Sequence, residues 1–164
     1  MKNRKTIAFL LTLAMLISCF PLAASAGEIK QGKINLLSNG YYITDENDHP
    51  VIMPLFIIDE GITLRPNYSL NARENVWYAG DVIGFWVSVS NGSVEDLELQ
   101  AQRTDGSYSF RSLGCFEAIR GEWYGGLEFT SMPQGHGCYY RLRLKNTGST
   151  TMTVDSFTGE NYLP

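Results

Sequence analysis

The residues best able to do chemistry sit together in Gly-His-Gly-Cys, residues 135–138, where His136 stands two positions before Cys138. That spacing admits three chemistries. A free thiol with an imidazole in reach is a nucleophile and its base. Imidazole and thiolate are both metal ligands, but a site needs three or four of them. Cys115, His136 and Cys138 supply three at most, His49 is distant in sequence, and no CxxC or HExxH spacing occurs. The third reading is a glycine-rich turn that ends in a disulfide.

The N-terminus selects among these. "MKNRK" is a basic lead, "TIAFLLTLAMLISCF" is apolar and uncharged, and Pro21 and "AASA" close it with small residues. This is the layout of a secretory signal peptide cut between Ala26 and Gly27. The apolar run of about 15 residues is short of the roughly 20 that span a bilayer. "LISC" also has the form of a lipobox, with lipidation at Cys19 as the alternative, but no polar tether follows it. The expectation is therefore a secreted, extracellular chain with no stable membrane insertion. Cys115 and Cys138 are then the two cysteines left, and an exported chain with an even count favours a bridge between them. The bridge would close a loop of about 24 residues, worth roughly 3 kcal/mol. It would leave His136 as an exposed imidazole in a turn, with no metal and no cofactor expected.

Removing residues 1–26 from the 164 leaves 138, a size suited to one domain, 27–164. Ten basic residues then face 17 acidic ones, a formal charge of −7. Such a field does not hold nucleic acid, so the expected partner is a glycan or an extracellular protein. No GxSxG elbow, phosphate loop or dinucleotide fingerprint is present. Carboxylate pairs exist at Asp59-Glu60, Glu95-Asp96-Glu98 and Glu117/Glu122, as on any acidic surface. "TDENDH" places oxygen ligands at alternate positions but lacks the count for a calcium loop, and reads as a hairpin turn.

The positioning elements read as strands. In "GDVIGFWVSVSNG", Phe85, Val87 and Val89 share one face and Trp86, Ser88 and Ser90 the other. In "CYYRLRLKN", Cys138, Tyr140, Leu142 and Leu144 point one way, and Tyr139, Arg141, Arg143 and Lys145 the other. "YYIT" and "VIMPLFII" flank the polar turn, and "TTMTVDSF" reads as a last strand with Met152 and Val154 inward. "SVEDLELQAQR" offers either a helix cap at Ser93 or a strand, and the strand is preferred because an Asp105-Gly106 turn continues it. About seven to nine short strands without a helix predict an all-β antiparallel sandwich, with a small barrel or jelly roll as the alternative. "LELQAQRTDGSYSF" and "PQGHGCYYRLRLKNTGSTTMTV" resemble the central hairpin and closing strands of immunoglobulin-like or fibronectin-III-like sandwiches in small exported bacterial proteins, over residues 80–157. The resemblance implies a fold and an extracellular setting, and no defined activity.

Aromatic residues are the remaining functional signal: Trp77, Tyr78, Trp86, Trp123, Tyr124 and Tyr139. Exposed on a rigid sandwich, such rings stack on sugars or anchor a protein contact; buried, they are core. Trp86 stands opposite the apolar face of its strand, and of the adjacent Trp123 and Tyr124 one must point outward. The sequence thus reads as a secreted, non-enzymatic binding domain. A toxin-like or bacteriocin-like effector is the second reading, and a small extracellular hydrolase the third.

Overall fold

The computed structural model describes residues 33–51, 61–80 and 82–162, all within one compact unit, Gln31–Pro164. The signal-peptide segment, its Ala26–Gly27 junction and Cys19 lie outside the described residues, as do most of "VIMPLFII" and Asp59-Glu60.

Among the described residues eleven strands form two antiparallel sheets. One sheet is built on β5 (Val82–Asn91), which pairs with β11 (Met152–Tyr162) on one side and β9 (Tyr124–Phe129) on the other. β8 (Glu117–Ala118) extends it beyond β9, while β1 (Ile34–Asn35) and β3 (Ile62–Leu64) both pair with β11. The other sheet is built on β10 (Cys138–Asn146), between β4 (Ser69–Tyr78) and β6 (Leu97–Arg103). β2 (Tyr41–Thr44) and β7 (Arg111–Cys115) are its edges. Only β6–β7 and β8–β9 connect within one sheet; the chain changes sheets at every other step. That winding is closer to a jelly roll than to a meander.

Side-chain alternation explains the layers. Phe85, Val87 and Val89 of β5 face Leu97, Leu99 and Ala101 of β6 and Tyr140, Leu142 and Leu144 of β10 across one core, all essentially buried. Met152, Val154 and Phe157 complete it from β11, where a bulge around Asp155 restores the inward phase. Among the described residues the only helical piece is one 3₁₀ turn, Val94–Asp96, and no helix there is long and apolar enough to cross a membrane. The Ser93 hydroxyl does cap that turn, and the strand follows at once.

Two local expectations change. β6 and β7 do form a hairpin, but through a seven-residue loop, 104–110, rather than a tight Asp105-Gly106 turn. Asp105 folds back onto the Arg103 guanidinium, and that cation holds its carboxyl below the usual range. The "DENDH" segment is a turn stabilised by Asp45, whose carboxylate accepts the amides of Asn47 and His49, each at 2.9 Å. The His49 amide in particular lowers its pKa. Both amides reach the same oxygen, Oδ1, the geometry of an Asx turn.

Candidate functional site

Register across β4, β10 and β6 assembles a polar surface, interrupted by a bulge of β4 between the rows of Arg141 and Arg143. Outward residues of β10 run Tyr139, Arg141, Arg143, Lys145. Trp77 lies across from Tyr139; Asn75 and Gln102 flank Arg141; Asn71 and Gln100 flank Arg143; Ser69 and Glu98 flank Lys145. An amide thus stands on both sides of Arg141, whereas beside Arg143 Asn71 is buried and donates to Thr44 Oγ1 and Ser69 O, which leaves Gln100.

The arginines differ. The Arg143 Nε donates to Gln100 Oε1 at 2.5 Å, its Nη1 pairs with Asp48 at 2.6 Å, and its guanidinium lies 4.2 Å from the Phe110 ring centroid. Gln100 in turn donates to Glu98 at 2.5 Å. Arg143 is thus neutralised and fixed in place. Arg141 is exposed, and no ion pair forms on it among the described residues.

At the head of the row Tyr139 is 51% exposed and meets the half-buried Trp77 edge-to-face, centroids 4.9 Å apart. Its backbone carbonyl accepts both the amide and the hydroxyl of Thr104. The 130–137 loop supports this end. Gln134 accepts the Arg103 amide at 2.6 Å and donates to the Ser109 carbonyl at 2.9 Å. The Gly137 amide donates to Tyr78 O at 2.7 Å, with Gly135 and Gly137 at φ of 96° and 68°. That backbone region favours glycine, which explains the Gly-His-Gly spacing. His136 lies exposed against Gly80.

The expected disulfide is corrected. Both cysteines are free thiols, Cys115 exposed and Cys138 buried. Cys115 stands beside Glu98, which stands beside Lys145, seven residues along β10 from Cys138. Two strand spacings and seven residues of offset place them roughly 25 Å apart, far beyond the ~7 Å limit between bridged α-carbons. Tyr78 is also corrected as a binding residue. It is 3% exposed, its hydroxyl donates to Thr130 O at 3.1 Å, and its ring packs edge-on to Tyr140.

Trp86, Trp123 and Tyr124 sit on the opposite side, on the outer face of the β5 sheet. Trp86 is half-buried, and its indole lies across two glycines. A Cβ at Gly84 would overlap Cη2, and one at Gly126 would fall 3.0 and 3.1 Å from Cδ1 and Nε1. Trp123 is 55% exposed and packs on the half-buried Tyr124, with Ile119 exposed nearby. The six aromatics thus divide: two on one face, three on the other, one in the core. Arg141, Gln102 and Asn75 were missed as site residues. The alternation of "CYYRLRLKN" and "LELQAQR" did signal the outward direction of Arg141 and Gln102, while nothing in the sequence pointed to Asn75.

The molecule is a two-layer antiparallel β-sandwich with a polar, aromatic-ended face on one sheet. No family model and no curated protein matches the chain. Among solved structures it is similar to the CBM22-1–GH10 modules of a Clostridium thermocellum endo-1,4-β-D-xylanase 10B complexed with xylohexaose. That alignment has 12% identity, a TM-score of 0.44, and covers 80% of this chain and 26% of that one. The chain therefore spans about a quarter of the xylanase chain. It is also similar to TmCBM61 in complex with β-1,4-galactotriose, at 12% identity and a TM-score of 0.31, over 80% of this chain and 88% of that one.

Proposed function

We propose that the chain is a secreted, non-catalytic glycan-binding domain whose site is the outer face of the β10 sheet. One observation carries this reading: an exposed Tyr139, braced edge-on by Trp77, followed along the same face by an exposed Arg141 between Asn75 and Gln102. An aromatic face takes the apolar side of a sugar ring, and amides and guanidinium groups suit its hydroxyls. From Tyr139 to Lys145 the row runs ~20 Å, room for several sugar residues. The signal-like N-terminus, with its Ala26–Gly27 junction, supports an extracellular setting.

Affinity electrophoresis against a panel of soluble polysaccharides tests the reading. Retardation by at least one polymer, lost at least tenfold in Tyr139→Ala with thermal stability nearly kept, is the expected result. No retardation by any polymer, or retardation indifferent to Tyr139, would overturn it.

A second reading, a protein-contact domain, has its own support in the exposed Trp123 and Ile119 on the opposite face. Under it, Trp123→Ala would abolish a pull-down partner while Tyr139→Ala would not.

A further inference from the structure

We infer that the glycan taken by the β10 face carries carboxylates, and that Arg141 binds them. The inference rests on the glycan-binding reading of that face and adds the class of sugar.

The argument begins with charge. The chain is acidic, with 17 Asp and Glu against 13 Lys and Arg. The basic side chains of this face are nonetheless unequal. Arg143 is neutralised by Asp48. Lys145 stands in register with Glu98. Arg141 lies between them and Tyr139, in register with Asn75 and Gln102. The bulge of β4 beyond Asn75 adds the exposed Arg73 and the half-buried Glu74, which accepts from Asn39, and no ion pair among the described residues joins Arg141 to Glu74. Amides cannot cancel its charge. A guanidinium presents a planar fork of donors that matches a carboxylate with two parallel hydrogen bonds.

Position agrees with charge. Arg141 follows Tyr139 by two residues on the same face, ~7 Å along the strand. A sugar stacked on Tyr139 therefore brings a carboxylate on it or its neighbour to the guanidinium. Asn75, exposed on one side, faces an adjoining hydroxyl; on the other side Gln102 donates its amide to Tyr108 O and has its Oε1 left to accept. Arg143, clamped by Gln100, Asp48 and Phe110, is fixed where Arg141 is exposed. One row is thus structural and the next is open to a ligand.

Three polymers test this on the full chain: polygalacturonate, its fully methyl-esterified form, and dextran sulfate. The expected result is at least tenfold tighter binding to polygalacturonate than to the ester. Arg141→Gln should remove that preference, and Arg141→Lys should restore part of it, since a point charge replaces the fork. Near-UV circular dichroism checks that each variant keeps its packing, which an exposed position should allow. Equal binding to acid and ester, with dependence on Tyr139, overturns the carboxylate inference and leaves the glycan reading intact. Dextran sulfate bound as tightly as polygalacturonate overturns it in favour of general polyanion attraction. Failure to bind these and every neutral polysaccharide overturns both readings.

Discussion

A β-carbon at Gly126 would stand 3.0 Å from Cδ1 and 3.1 Å from Nε1 of Trp86, the residue directly opposite on β5. The glycine is what lets the indole lie along the sheet. Gly126→Ala must displace the ring or strain the strand, and overpacking of this kind costs about 1–3 kcal/mol. Combined with Trp86→Ala the penalty should shrink without vanishing, because the added carbon then meets only Ile119 Cδ1, 2.8 Å away. Chemical denaturation of the four proteins reads the coupling, expected above about 0.5 kcal/mol. Additive effects would show that the ring does not rest on this glycine.

The cysteines predict a labelling pattern. Iodoacetamide applied to native protein should alkylate the peptide containing Cys115, while Cys138 should react only after unfolding. Reductant should leave the melting temperature unchanged. A melting temperature that falls with reductant would restore the bridge that cysteine counting suggests.

Tyr140 predicts an alkaline limit. Its phenol is fully buried, donates to Gly135 O at 2.7 Å, and is pushed up to about 12, first by burial and then by the neighbouring Cys138. Near pH 11 the folded state keeps a proton that the unfolded state releases. Its contribution to stability is therefore complete below about pH 10 and is lost as pH rises toward 12. Tyr140→Phe should be less stable at pH 8 by about 1 kcal/mol, the worth of one hydrogen bond. It should also lose less stability between pH 10 and 12. Parallel pH profiles for the two proteins would remove Tyr140 from this role.

Much of this architecture is legible along single strands and little of it between them. Phe85, Val87 and Val89, and Cys138, Tyr140, Leu142 and Leu144, fall inward as their alternation predicts, because a two-residue period is a local property. The partners of β10 are β4 and β6, tens of residues away, and no local pattern specifies them. The disulfide expectation failed for this reason. Compartment and count bring Cys115 and Cys138 together, whereas register sets them at opposite ends of a sheet. Trp77 and Tyr78 show the same limit more finely. Adjacency on a strand requires one ring in and one out, but only the pairing of Trp77 with the outward Tyr139 decides which. The polar site needs three strands in register, so its residues other than Asn75 were individually visible and collectively hidden.

The alternation of the chain between its two sheets also governs when the molecule can form. β10 is the middle strand of one sheet, and β11 lies between β1 and β5 in the other, yet these are the last two strands in the sequence. A chain lacking its final 30 residues or so keeps the β2–β4, β5–β9, β6–β7 and β8–β9 pairs, but has lost the strand that joins β4 to β6 and the one that joins β1 and β3 to β5. Each sheet is therefore completed only by contacts between strands distant in sequence, the class of topology that folds slowly.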